Sequence, residues 1–430
     1  MPATLAHIAS ELVDNNSIDP QLFDKFDVKR GLRNKDGSGV LAGLSRVSSA
    51  IGTKKVGDEQ LPVDGQLTYR GIEIRDIIRR YENGARYCFE DVTFFLLVGR
   101  YPTQDEMTSL KTIIREARNL PADIVEHVIK AIPSHNVMNK FQTGLSALYA
   151  YDDNPESLDP YENFVKSIQV LAKLPSLLAY SYLTAFKPDA QLVAPPADLS
   201  IAETFLYILH EGRLPTQTES VILDLCLVLH AEHGGGNNST FAARVVTSSE
   251  SDIYSSLASA VGGLKGPLHG SANKKVMEMM ADIQANVKPY SDIKLLKDYL
   301  RRIVKKEVFD RSGLFYGFGH AVYTLSDPRA LVLIEYAKRL AKEKGREAEL
   351  QLYFDIAQEA PAAFAEIKGA SKIIAPNIDF YSGFVYDCLG IPEPIYTPIF
   401  GLARATGWCA HRIEEILTGK RIIRPGYKYV

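Results

Sequence analysis

The sequence predicts a mostly α fold, and three stretches carry that reading. In Ser271–Val287 the apolar residues Ala272, Val276, Met279, Met280, Ile283 and Val287 keep the i, i+3, i+4 spacing of a one-faced helix. Val221–Leu229 is apolar on nearly every face except at Asp224, the pattern of a helix buried in the centre of a domain. Ile399–Leu417 repeats the helical period through Ile399, Leu402, Ala403, Thr406, Ala410, Ile413 and Ile416. Strand signals are short and lie near the N-terminus, at Val40–Ser45 and Gln66–Tyr69.

At 430 residues the chain exceeds one ordinary domain, so a large helical domain with a smaller helical one is expected. Residues 1–35 read as an N-terminal extension. Asp152–Tyr161 and Lys187–Leu199 concentrate Pro and Asp, and read as surface connections inside the large domain. Turns near Gly266 and Asp379 bracket a stretch richer in Lys, Glu and Arg. The division expected is therefore 36–267 with 379–430 as the large domain, 268–378 as the small one, and a ligand cleft between them.

Charge and cysteine usage narrow the function. The formal net charge is −3 and the pI about 6.3, which gives no footprint for nucleic acid or an acidic membrane. Cys88, Cys226, Cys388 and Cys409 are scattered, without a CxxC pair or disulfide framework, as suits a reducing cytosol. The longest apolar runs, such as Val92–Val98, fall short of the ~20 residues of a membrane helix. Glu11, Asp14, Asp19, Asp24 and Asp27 precede Lys29-Arg30, unlike an Arg-rich, acid-poor transit peptide. A cytoplasmic protein is expected.

Three short segments each end on a polar residue that packing does not call for: Gly-Pro-Leu-His269-Gly, Gly-Phe-Gly-His320-Ala and Pro-Asn-Ile-Asp379-Phe. Rich in Gly or Pro, they read as turns that present a side chain. Two imidazoles and a carboxylate are a toolkit for moving a proton beside a carbonyl. His269 precedes a helix that starts near Ser271, whose positive end disfavours imidazolium and keeps the ring a neutral donor. Each segment also has a plainer reading: a buried His at a domain junction, a Gly-rich turn before an Asp327-Pro helix start, and Asp379 as a helix cap.

His230-Ala-Glu-His233-Gly-Gly-Gly-Asn237-Asn238-Ser239 closes the buried helix. Two histidines at i, i+3 suit a metal, but no HExxH and no further ligand at ligand spacing follows. The glycines instead give a backbone that can approach a small anion. His233, beside the Gly run, reads as a ligand contact and His230 as a core histidine. Gly317-Phe-Gly319 contains GxG but not GxGxxG, so it does not signal a dinucleotide fold. Its amides can line an adenine or phosphate pocket, and Arg329 can fork onto a carboxylate.

Together these pieces closely resemble the citrate synthase family, in order and spacing, from Tyr69-Arg70-Gly71 to Arg424-Pro425. The matching motifs are His-Ala-Glu-His233 with Asn237 and Ser239, Gly-Pro-Leu-His269-Gly-Ser-Ala-Asn273, and Gly-Phe-Gly-His320-Ala-Val with Asp327-Pro-Arg329. Pro-Asn-Ile-Asp379-Phe-Tyr-Ser-Gly, Phe-Gly-Leu-Ala-Arg404 and Arg424-Pro continue the series. The Gly-Gly-Gly after His233 departs from the Glu-Leu-Asn or similar run of many bacterial members.

The resemblance implies an acyltransferase of the tricarboxylic acid cycle. It would condense acetyl-CoA with oxaloacetate and hydrolyse the thioester to citrate and CoA, with no permanently bound cofactor and no metal. It implies Asp379 as the base at the acetyl methyl, His269 as donor to the thioester oxygen and His320 as donor to the ketone of oxaloacetate. It assigns the substrate dianion to Arg329, Arg404 and Arg424, with His233 and Asn237 beside them, and puts Arg424 in the neighbouring subunit's site of a homodimer. It places CoA loosely on the small domain at Leu314, Gly317, Phe318 and Gly319, with Lys372 as a phosphate contact. A 2-methylcitrate synthase using propionyl-CoA is the nearest alternative, because one methylene is worth only ~1–3 kcal/mol in a pocket. A ligand sensor has no need of the base, a plain scaffold has no need of three arginines, and a citrate-cleaving lyase needs further domains.

Overall fold

The computed structural model describes residues 11, 13, 15–57, 59–81, 89–270, 272–369 and 373–430. The chain forms two compact units, one ending at Leu44 and the other running from Ser45 to Val430. In the first, helix α1 (Pro20–Lys25) starts behind Asp19, whose carboxylate accepts the Gln21 amide. Pro20 fits the first helical position because its missing N–H has no helical partner to lose.

The second unit opens with an antiparallel sheet of β1 (Ser48–Val56), β2 (Glu59–Tyr69) and β3 (Ile72–Glu73), in that order. The predicted Gln66–Tyr69 strand is the inner end of β2. Val40–Ser45, in contrast, is not a strand: Leu41 and Leu44 are 86% and 87% exposed and have no face to pack against. Strand β1 was not predicted because its sequence, ending Lys54-Lys55-Val56, lacks apolar alternation.

Helices make up the rest of this unit. They are α2 (Ile74–Arg79), α3 (Phe89–Val98), α4 (Gln104–Ala117), α5 (Val137–Ala147), α6 (Pro160–Phe186), α7 (Ile201–Leu209), α8 (Gln217–His230), α9 (Asn238–Thr247) and α10 (Ile253–Lys265). After them come α11 (Ala272–Asn286), α12 (Ile293–Val304), α13 (Pro328–Lys344), α14 (Glu347–Lys368), α15 (Ile378–Cys388) and α16 (Tyr396–Thr418). A π-helical segment, Ile124–Lys130, precedes α5. Reciprocal capping boxes start α4, α7 and α8, at Thr103 with Glu106, Ser200 with Glu203 and Thr216 with Glu219.

The predicted helices are present: the stretch from Ala272 forms α11, Val221–Leu229 lies inside α8, and Ile399–Leu417 lies inside α16. Helix α16 runs through the core, with Trp408 fully buried, and packs against α3, α6, α8, α9 and α10. Helix α8 is enclosed by α3, α7, α13 and α16, which explains why it is apolar all round. Asp224 is tolerated there because its carboxylate accepts the Phe89 N–H at the start of α3. Cys226, Cys388 and Cys409 are free and buried, and Cys88 lies outside the described residues. Among the described residues, no helix is long and apolar enough to cross a membrane.

Candidate active site

The loop before α13 and the entry to α15 are joined by backbone pairing. Gly319 N–H donates to Ala375 O at 2.9 Å, Asn377 N–H to Gly317 O at 2.8 Å, and the Asn377 Nδ2–H to Gly319 O at 2.8 Å. Gly317 sits at φ 78°, and a Cβ there would lie 2.8 Å from Phe380 Cα, so this close crossing needs glycine twice over. The Phe318 ring packs on Phe380 with centroids 4.8 Å apart. These contacts fix the His320 segment beside the start of α15.

Asp379 does not sit on a presenting turn or act as the cap, as the sequence suggested. It occupies the first turn of α15, and Asn377 caps the helix by accepting the Asp379 N–H on Oδ1 at 2.9 Å. The Asp379 carboxyl is thereby left free. The protein around it raises its acid to about 6; Arg329 and Arg404 pull the other way, and Asp327 adds to the rise.

His320 keeps a solvent-facing edge, and its Nδ1 accepts the N–H groups of Val322 at 3.0 Å and Tyr323 at 3.3 Å. A neutral ring so held carries its proton on Nε2, the nitrogen left to donate. Surrounding protein, then the charge of Arg329, depress its pKa to about 4. The ring stacks on Tyr323 at 4.8 Å and meets His233 edge-on at 4.9 Å. His233, buried at the end of α8, has Nε2 3.0 Å from the Tyr323 hydroxyl. Burial, Arg329, His320 and Arg404 hold its pKa well below the usual histidine value.

His269 lies in the turn between α10 and α11, as expected. Its Nε2 is 3.0 Å from Asn237 Oδ1 and 3.1 Å from Ser239 Oγ. Its pKa is depressed to about 4, first by burial and then by Arg404, which keeps the ring neutral. Ser239 Oγ accepts the Trp408 indole N–H at 3.2 Å and donates its own proton to Asn237 Oδ1 at 2.9 Å. Nε2 thus faces Asn237 and Ser239, and the tautomer of the neutral ring with its proton on Nδ1 is the one able to donate to a ligand.

The two internal arginines differ. Arg329, in the first turn of α13, is locked by Nε and Nη2 onto Asp327 at 3.0 and 2.8 Å. Asp327 also caps α13 and accepts the Ile378 N–H at 3.1 Å, so the plain helix-start reading holds, and the Arg329 fork is taken up by a carboxylate of this chain. Arg404, fully buried on α16, donates Nε–H to His230 O at 2.7 Å, while Nη1 and Nη2 make no hydrogen bond among the described residues. Burial lowers its pKa to about 10, although Glu232 works against that. Its field acts on His233, His269, His320 and Asp379 alike. His230 is a core residue, packed on Phe400 at 4.8 Å, whose carbonyl serves Arg404.

Beneath His233 runs a buried network that the motifs did not reveal. Glu232 Oε1 accepts from Ser48 Oγ at 2.8 Å and pairs with His411 Nε2 at 2.9 Å. Arg244 donates to His411 Nδ1 and pairs with Glu414 and Glu415. Burial works to raise the Glu232 acid, but His411 and Arg404 outweigh it and hold it at about 2. Partners so distant in sequence leave no local spacing signal.

The structure thus gathers His233, Asn237, His269, His320, Arg329, Asp379 and Arg404. Arg424 is not among them: it is exposed in the tail beyond α16, next to Ile423, whose N–H donates to Ser248 Oγ at 2.9 Å. Leu314 is 51% exposed, Gly319 has φ 75° and an open Cβ position, and Lys372 lies outside the described residues.

A helical scaffold that converges neutral imidazoles, a weakened carboxylic acid and an unpaired guanidinium defines an enzyme that moves protons beside an anionic substrate. The sequence profile described as "Citrate synthase, C-terminal domain" matches residues 37–426. The chain is 37% identical to citrate synthase 2 of Bacillus subtilis, over 91% of this chain and 94% of that one. It is 38% identical to a citrate/2-methylcitrate synthase of the same organism, over 85% and 90%. The citrate synthase of Thermoplasma acidophilum, solved as a ternary complex with carboxymethyl coenzyme A and oxaloacetate, superposes with a TM-score of 0.74 at 27% identity, over 93% of this chain and 95% of that chain. The chain belongs to the citrate synthase family, a family of acyltransferases.

Proposed function

We propose that this chain condenses acetyl-CoA with oxaloacetate and hydrolyses the resulting thioester to citrate and CoA. The observation that carries the assignment is the Asp379 carboxyl, freed from capping by Asn377 and raised to about 6. A carboxylate of that basicity is matched to work near neutral pH, where an ordinary one is too weak. It takes a proton from the thioester methyl. The charge that develops on the thioester oxygen is met by the His269 N–H, a kind of donor worth about 2.7–4 kcal/mol. The enol carbon then attacks the ketone carbon, and His320 Nε2–H donates to the ketone oxygen as it gains charge.

Oxaloacetate brings two carboxylates, and burying them uncompensated is prohibitive. The unpartnered Nη1 and Nη2 of Arg404 supply what one of them needs, and Arg329 lies beside it. His233 and Asn237 complete the grip. The exposure of Arg424 in its own chain supports a role in a partner's site, so the working unit is a homodimer. CoA lies along Leu314, Gly317, Phe318 and Gly319, and residues 268–378 close over residues 36–267 and 379–430 to exclude water. Buried, unpaired cysteines suit a cytoplasmic setting.

Initial-rate thiol release with oxaloacetate and either acetyl-CoA or propionyl-CoA tests this reading. Faster turnover of acetyl-CoA is the expected result. Faster turnover of propionyl-CoA reassigns the product to 2-methylcitrate, and no thiol release with either removes the enzyme assignment.

A further inference from the structure

The outer half of the β1–β2 hairpin contributes little to the core, since Thr53–Val56 of β1 and Glu59–Pro62 of β2 are exposed. Gly52, at the middle of β1, is the buried exception. The register slips there: Ile51 pairs with Gln66 while Thr53 pairs with Pro62, so Gly52 stands opposite Val63, Asp64 and Gly65. Irregularities of this kind re-aim a strand toward a neighbour. The neighbour is the segment that follows His320.

The fit is close at both glycines. A Cβ on Gly52 would collide with Val322 O and lie 2.8 Å from Tyr323 Cα. A Cβ on Gly65 would collide with Ser326 O and lie 2.7 Å from Tyr323 Cδ1 and 2.9 Å from Pro328 Cδ. Neither glycine has a positive φ, so the backbone accepts any residue and space alone demands glycine. Two hydrogen bonds tie the same surfaces together. Gly65 N–H donates to Ser326 Oγ at 3.1 Å, and the Ser326 hydroxyl donates to Asp64 Oδ1 at 2.9 Å.

We infer that the hairpin is the seat that sets the His320 imidazole, with Gly52, Asp64, Gly65 and Ser326 as positioning residues for the condensation. The inference rests on the role proposed above for His320. The relay is short: Gly52 and Gly65 support Val322 and Tyr323, and the amides of those two residues hold His320 Nδ1. The Tyr323 hydroxyl carries the same constraint to His233. Displacing this backbone by a few tenths of an ångström frees Nδ1 and lets the ring adopt the tautomer with its lone pair on Nε2. That form cannot donate to the ketone.

Two readouts test the seat. Imidazole nitrogen resonances, with those of His320 assigned through His320→Gln, report its tautomer whether or not the protein turns over any substrate. Wild type should show the proton on Nε2, and Gly52→Ala should show a mixture. In thiol release, Gly52→Ala should lower kcat by about tenfold while changing the oxaloacetate KM much less, since the hydrogen bond matters most in the transition state. Added to His320→Ala, it should cost no more than about twofold further, because the hairpin acts through that ring. Asp64→Ala and Ser326→Ala should weaken kcat in the same sense. Asp64→Asn and Ser326→Thr keep the acceptor and the hydroxyl and should restore it, so the test stands even if Gly52→Ala fails to fold. Unchanged His320 resonances in Gly52→Ala, or losses that multiply with His320→Ala, overturn the inference. If wild type releases no thiol, the proposed function has failed, and the tautomer readout decides the seat by itself.

Discussion

Asn377 caps the helix that carries Asp379, accepting the Asp379 N–H on Oδ1 at 2.9 Å. An aspartate at a helix start commonly serves as the cap, which keeps its acid strong. With that duty moved two residues earlier, Asp379 is subject to two opposed effects. The helix N-terminus favours its anion by about 0.3–1 kcal/mol, less than one pKa unit. Enclosure by protein acts the other way and wins, raising the acid from 3.8 to about 6.

A pH profile follows from these values. The base must be ionised to accept a proton, so activity falls as pH drops below about 6, tenfold per unit at the limit. His269 and His320, each depressed to about 4, stay neutral throughout that fall and add no limb of their own above pH 5. Measured as kcat/KM, which reports the free enzyme, the acid limb should show one apparent pKa near about 6. A flat profile down to pH 5 contradicts it.

Arg329 and Arg404 should separate stability from binding. Removing Arg329 in Arg329→Met strands the Asp327 carboxylate, which is 2% exposed, and a broken buried pair typically costs about 3–5 kcal/mol. Arg404→Met gives up one hydrogen bond to His230 O, worth about 1 kcal/mol, and removes a buried charge whose Nη groups are unpaired. Denaturant unfolding should therefore show a large loss for Arg329→Met and little or none for Arg404→Met. Both variants should bind oxaloacetate poorly. Equal losses of stability would contradict the unpaired state of Arg404.

The sequence shows these side chains better than it shows what holds them. Helices α8, α11 and α16 are legible because burial writes a 3.6-residue period or an all-apolar run into them. Strand β1 is not, because its fit to the rest of the chain depends on Gly52, and a glycine has no hydrophobic signal to give. His269 and His320 stand out as polar residues on Gly-rich turns. Tyr323 against His233, Trp408 against Ser239 and His411 against Glu232 are brought together only by folding, across 90, 169 and 179 residues. Asn377 was legible in principle, since an Asn two residues ahead of Asp379 is a cap by spacing.

Arg424 tests the assembly. Asp379→Asn and Arg424→Ala homodimers should each be severely impaired. Mixed dimers contain one doubly damaged site and one intact site if Arg424 reaches across the two-fold axis. Random assortment at equal amounts should then restore roughly a quarter of wild-type activity. No recovery, with mixed dimers verified by mass, contradicts the shared site.

The most direct test of the account is a pair of measurements on Asp379→Asn: oxaloacetate affinity by calorimetry and the kcat of thiol release with saturating acetyl-CoA. The amide keeps the shape of the side chain but cannot take the methyl proton. The expected result is an oxaloacetate Kd within about twofold of wild type and a kcat lowered by about 10²–10⁴. A variant that kept a tenth or more of the wild-type kcat would show that Asp379 is not the base.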